Sequence, residues 1–278
     1  MPTLAWLWTV VLLLCGVISS AAVAEQQRIR LATTTSVEAS GLLDYLLPMF
    51  QRDNGIKVEV LAVGTGQALA IGRRGDADIL ITHAPSAEQA MIDSGYAVEA
   101  ISLMSNRFLI VGPRSDPADI AHSNTIGDAL ERIAKGHYRF VSRGDNSGTY
   151  MKEQSIWQSL SVKTQWHNYY SIGQGMAATL RMANELDAYT LTDRGTWLAQ
   201  GKQLTALRAF GLDGAELYNP YRILILNDRR HGHIKSDQAM TFARWLTSAK
   251  TQHAIADFKK HGQWLFCPEL TSARVDCE

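Results

Sequence analysis

The sequence has no excess of either charge, few cysteines and no internal repeat. Lys and Arg together number 27, and so do Asp and Glu. A nucleic-acid-binding chain carries a basic surplus, which is missing here. Apolar residues are not scarce: 46% hydrophobic against 19% charged excludes a disordered chain. At 278 residues the chain can build one large or two modest domains.

Several motifs are also missing. Gly64-Thr65-Gly66 has neither the third glycine of a dinucleotide fingerprint nor the Gly-Lys-Ser/Thr ending of a P-loop. There is no Gly-x-Ser-x-Gly elbow to seat a nucleophilic serine. His231-Gly232-His233 has no nearby Cys or carboxylate to complete a zinc pattern. These absences leave no catalytic residue, no metal ligand set and no cofactor to assign, and they point to binding rather than catalysis.

Residues 1–24 contain no charged side chain, and Leu4 to Ile18 is almost wholly apolar. The run ends in Ala22-Val23-Ala24, a small-x-small pattern ahead of polar Glu25, so a signal peptide cleaved after Ala24 is expected. A retained anchor is the alternative, because the uncharged run is long enough to span a bilayer. Leu14 before Cys15 is too large for a lipobox. Cleavage removes Cys15 and leaves Cys267 and Cys277. In an exported chain this pair reads as a disulfide, stabilising by roughly 2–3 kcal/mol in the chain-entropy model. Two free thiols are the alternative.

The rest alternates apolar runs with amphipathic stretches. Strands are expected at Ile29–Thr33, Lys57–Ala62 and Asp78–Thr82, with helices at Ser40–Asn54, Gln67–Arg74 and Ser86–Ser94. Pro48 should kink the first helix or mark its last turn. Ser86, with Gln89 three residues on, should cap the third. This order implies a parallel sheet with right-handed crossovers. Arg107–Gly112 is another strand, a second alternating region follows, and Asn219-Pro220 breaks the chain before strand Tyr221–Leu226 and two closing helices. The fold class is therefore α/β with two Rossmann-like lobes: residues 25–111 plus 218–278 as lobe 1, and 112–217 as lobe 2.

Five segments place hydroxyls and glycines where a strand ends and a helix starts: Thr33–Ser36, Gly64–Gln67, Ser142–Thr149, Gly173–Met176 and Thr190–Thr196. Open α/β sheets bind ligands at strand C-terminal ends. Helix N-termini there present free N–H groups and a partial positive charge. One such junction is an ordinary helix cap. Five together, two of them carrying arginine, signal an anion cleft. Arg143-Gly144-Asp145 reads as a strand-to-helix turn rather than an adhesion tripeptide, and His83 as a support for the cleft rather than its lining.

These stretches are familiar. Ala32–Ser36, Ser40–Asp44, Val63–Leu69, Ser142–Thr149, Gly173–Met176 and Tyr189–Thr196 resemble, in order, the tungstate-binding periplasmic component of ABC transporters, within the type II periplasmic-binding-protein superfamily. Tyr150 stands where that family commonly has His, and Ala177 where it has Gly. The resemblance implies two lobes joined by a two-strand hinge, closing on one tetrahedral oxyanion for delivery to a membrane permease. It implies a periplasmic location and a monomer, with tungsten bound only as an oxyanion; molybdate, phosphate and sulfate are the alternative ligands. A secreted hydrolase of phosphorylated or sulfated substrates would need a nucleophile or metal beside a base, which is not seen.

Nanomolar capture of a dianion needs about 12 kcal/mol net. Charge-assisted hydrogen bonds contribute roughly 1.5–3 kcal/mol each, so about six donors are required. Thr35, Ser36 and Thr65 are expected to supply them from lobe 1, and Arg143, Ser147 and Thr149 from lobe 2. Arg194 is a further candidate, its alternative being a salt bridge to Asp193 or Asp145. A carboxylate facing the ligand would favour protonated phosphate; one turned back onto Arg143 or Arg194 would favour tungstate. The second arrangement is expected.

Overall fold

A computed structural model of the protein describes residues 27–269. The expected signal peptide, its cleavage point near Ala24 and Cys277 lie outside the described residues. Cys267 is disulfide-bonded.

The first part of the chain runs β1 (Arg28–Thr34), α1 (Thr35–Ser40), α2 (Leu42–Asn54), β2 (Lys57–Val63), α3 (Thr65–Arg74), β3 (Ile79–Thr82), α4 (Pro85–Asp93) and the long β4 (Ala97–Pro113). The second comprises α5 (Ile126–Lys135), β5 (Phe140–Ser142), α6 (Gly148–Ser159), β6 (Tyr169–Ser171), α7 (Met176–Leu186), β7 (Thr190–Asp193), α8 (Arg194–Gln200) and β8 (Leu207–Phe210). The chain returns through β9 (Tyr218–Leu226), α9 (Ser236–Leu246) and α10 (Ala249–Asp257), then the short β10 (Lys259–Lys260), β11 (Gln263–Trp264) and β12 (Cys267–Pro268).

The pairing explains the lobes. In lobe 1 the order is β2-β1-β3-β9-β4, with β1, β2 and β3 parallel and β9 inserted antiparallel to both neighbours. In lobe 2, β6 pairs with β5, a bridge joins Phe140 to Tyr189 just before β7, and β4 takes β7 on one side and β8 on the other. Each lobe thus places one antiparallel strand, delivered by a crossing, between its third and its last. β4 serves both sheets: it pairs with β9 up to Arg107 and with β7 from Phe108. The change of partner is the hinge, together with Tyr218 opposite Arg107.

Apolar faces pack on both sides of each sheet. Leu42, Leu43, Leu46 and Phe50 recur at helical spacing on α2 and bury against Phe242 and Trp245 of α9. On the other face of the lobe 1 sheet, Ala68, Leu69 and Ile71 of α3 meet Leu80 and Leu224. Phe140, Trp157 and Tyr189 centre lobe 2.

Some elements differ from expectation for identifiable reasons. The helix expected from Ser40 to Asn54 starts at Leu42, and a separate helix, α1, precedes it, because Gly41 takes φ 80°, which ends α1 and starts α2. Pro48 sits inside α2, which continues to Asn54. Ser86 does not cap α4. Pro85 occupies the first turn, and buried Glu88 reaches back to accept the Ala84 N–H at 2.8 Å. Glu88 also accepts from Thr82 Oγ1 at 2.7 Å and pairs with Arg222 Nε at 2.6 Å. β6 and β8, three and four residues long, were not expected; both are only partly buried, so neither makes a continuous apolar run.

Candidate functional site

The N-termini of α3 and α6 meet across the lobes. Thr65 opens α3 and is fully buried. Its Oγ1 accepts the backbone N–H of Gly148, first residue of α6, at 3.1 Å. One residue on, the Gly66 N–H donates to Asn146 O at 3.3 Å. These two bonds tie lobe 1 to the loop between β5 and α6.

That loop is shaped by two left-handed residues, Gly144 (φ 66°) and Asn146 (φ 54°). A Cβ on Gly144 would stand 2.1 Å from Ser171 Oγ, so the loop presses directly on β6. Arg143 is 4% exposed, and its Nη2 donates to Asp145 Oδ2 at 2.5 Å. Asp145 Oδ1 accepts the Ser147 N–H at 3.3 Å. The aspartate is therefore turned back onto the arginine and its own loop. Ser147 caps α6 by accepting from the Tyr150 N–H at 3.1 Å. The Gln174 N–H donates to Arg143 O at 3.2 Å, which brings the loop after β6 alongside.

Two buried donors in this loop and helix end have no partner among the described residues: Arg143 Nε and Thr149 Oγ1. A buried donor left unpaired costs roughly 1–3 kcal/mol, more for a charged group. Such atoms are few in native folds, and each calls for a partner from outside the chain, a water or a ligand.

His83 lies behind the junction. It is buried, its Nδ1 is 2.8 Å from Asn219 Oδ1, and its ring stacks on Tyr221 at 4.8 Å. Since an amide oxygen only accepts, this bond puts the proton on Nδ1. Burial is the main cause that lowers its pKa, and the imidazole stays neutral. Asn219 Nδ2 donates to Asn106 Oδ1 at 2.7 Å and to Tyr221 Oη at 3.2 Å. Asn219, read from sequence only as a chain breaker, is a hub holding β4, β9 and His83; its partners are far apart in the chain, so no local signal marks it.

The remaining candidates are placed differently. Ser36 is buried and shares a hydrogen bond with Thr34 Oγ1 at 3.0 Å, while Thr34 caps α1. Thr35 is exposed. Asp193 caps α8, accepting from Thr196 N at 2.8 Å and Thr196 Oγ1 at 2.7 Å. Arg194 pairs with neither Asp193 nor Asp145; it lines a hinge cavity with Arg107. Thr65, Arg143, Ser147 and Thr149 thus share one junction, and Arg194 belongs elsewhere.

Two sheets of this order, joined by a shared strand and meeting at polar helix N-termini, define a bilobed binding protein with the type II fold. The chain belongs to the periplasmic-binding-protein superfamily: the PBP superfamily domain model matches residues 19–250. It is 41% identical over 247 residues to the tungstate-binding protein TupA of Peptoclostridium acidaminophilum, covering 86% of this chain and 84% of that protein. The TupA of Campylobacter jejuni is 36% identical, over 83% of this chain and 87% of its own length. Among solved structures, the tungstate ABC transporter protein from Geobacter sulfurreducens is 42% identical with a TM-score of 0.76, covering 83% of this chain and 98% of that one.

Proposed function

We propose that the protein binds a tetrahedral oxyanion, tungstate in the first place, outside the cytoplasm and delivers it to an ABC transporter permease. The observation that carries this reading is the pair of partnerless buried donors, Arg143 Nε and Thr149 Oγ1, at a junction made by both lobes. The names of the relatives at 36–42% identity support tungstate over other oxyanions.

Each side chain has a defined part. Arg143 supplies the charge, fixed in orientation by Asp145. Thr149 donates its hydroxyl. Thr65, whose oxygen is already an acceptor for Gly148, keeps its own hydroxyl proton to donate, so ligand capture and lobe contact converge on one residue. Ser147 and the first turn of α6 add the favourable end of the helix dipole. Ser36 extends the donor set from lobe 1. Removing the hydration of a dianion costs several kcal/mol, which these donors must offset.

Asp145 bears on selectivity. Its oxygens accept from Arg143 and the Ser147 N–H, so it is turned to its own loop rather than offered to a proton on the ligand. That favours a fully deprotonated oxyanion over hydrogen phosphate. We take the protein to act as an exported monomer and a carrier rather than a catalyst.

Calorimetry with tungstate, molybdate, sulfate and phosphate tests the proposal. Nanomolar tungstate binding is expected, with phosphate weakest. Micromolar or absent binding of all four would sink it.

A further inference from the structure

Arg194 stands apart from the junction, in a cavity of about 140 Å³ at the hinge that is also bordered by Ser105, Arg107, Tyr218 and Trp264. Arg107 is the last β4 residue paired with β9, and Tyr218 lies opposite it. Arg194 is the first residue of α8 in lobe 2. The cavity therefore spans both hinge strands and reaches the second lobe.

Its charge is unbalanced among the described residues. Among the described residues neither guanidinium has an ion pair or a hydrogen-bond acceptor. Asp193, the nearest acid in sequence, has both carboxylate oxygens engaged by Thr196. Burial, and after it the charge of Arg107, lowers the pKa of Arg194. A third cation, Lys259, has its Nζ 4.6 Å from the centre of the Trp264 ring that forms one wall. Like charges held together at a half-buried site repel, and a guanidinium pair without acceptors is matched by an oxygen-bearing anion.

We propose that this hinge cavity is a second anion site, in which Arg107 and Arg194 share one small oxyanion, either the carboxylate of an organic acid or an inorganic ion such as sulfate. The volume of about 140 Å³ has room for an ion of the size of acetate or sulfate. Phe108 pairs with Asp193, so Arg107 and Arg194 follow that pair as neighbours at the hinge, and an anion between them replaces repulsion by attraction.

The test is titration of the protein with sodium acetate and, separately, sodium sulfate at constant ionic strength, followed by nitrogen-15 NMR. The Trp264 indole N–H, assigned with Trp264→Phe, reports the hinge cavity; the Gly148 amide reports the junction. The expected result is a saturable Trp264 shift whose midpoint weakens at least tenfold in Arg107→Gln/Arg194→Gln. The anion with the lower midpoint identifies the source. The ligand-free double variant should melt no lower than the parent, since it loses a repulsion. No saturable Trp264 shift with either anion, an unchanged midpoint in the variant, or a Trp264 shift that only accompanies Gly148 would overturn the site. So would a lower melting temperature of the variant, which would make the arginines structural.

Discussion

Gly148 and His83 meet across the lobes so closely that a Cβ on the glycine would stand 2.6 Å from the imidazole Cε1. The ring cannot yield easily, since Asn219 and Tyr221 hold it from two sides. Gly148→Ala is therefore expected to keep the lobes from approaching and to weaken tungstate binding at least tenfold by calorimetry. Adding His83→Ala should restore part of the loss. A Gly148→Ala protein that binds as tightly as the parent would show that this approach is not needed for capture.

Arg143 and Asp145 act as one unit. Arg143→Gln should weaken tungstate binding at least tenfold, and Arg143→Lys nearly as much, because an ammonium cannot present both Nη2 to Asp145 and Nε to a ligand. Asp145→Asn should cost less affinity and narrow the gap between tungstate and phosphate. Unchanged affinity in Arg143→Gln removes the residue from the contact set.

Thr149 separates binding from stability. Its buried hydroxyl has no partner among the described residues, so Thr149→Val removes an unsatisfied donor worth about 1–3 kcal/mol. The ligand-free variant should melt at or above the parent temperature while its tungstate affinity falls. A lower melting point with full affinity would contradict the assignment.

Glu153 gives a pH test. It is 1% exposed on α6, and burial outweighs hydrogen bonds from Tyr169, Trp157 and Gln154 to push its carboxyl from 4.5 up to about 7. A carboxyl whose folded pKa is raised contributes stability that is fully present below about 4.5 and lost as pH rises through 7. The span corresponds to roughly 3 kcal/mol. Melting at pH 5 and pH 8 should therefore differ more in the parent than in Glu153→Gln. Equal differences would place the titration on another group.

The strand-to-helix junctions were legible because they depend on local chemistry. Ser147 and Thr34 cap the helices that follow them by bonds to residues three positions on. What stayed hidden depends on distance or on single conformations. Asn219 reaches Asn106 and His83 across more than a hundred residues. The break between α1 and α2 turns on the φ of Gly41 alone. Arg194 carries the same motif chemistry as Arg143, yet the β7–α8 turn sends it to the hinge, and no spacing rule separates the two. Glu88 took the capping role assigned to Ser86 because Pro85 fixed where α4 begins.

The place of β9 has a consequence for the order of assembly. It sits between β3 and β4, yet it is the last of the long strands to be synthesised. Lobe 2 has all its strands in one continuous stretch from Phe108 to Phe210, whereas lobe 1 must wait for residues 218–226. Contacts so distant in sequence slow folding. A chain truncated before Tyr218 should yield a protease-resistant lobe 2 attached to a lobe 1 that digests readily. The same delay leaves β3 and the first half of β4 without the strand that joins them until nearly the whole chain has been made.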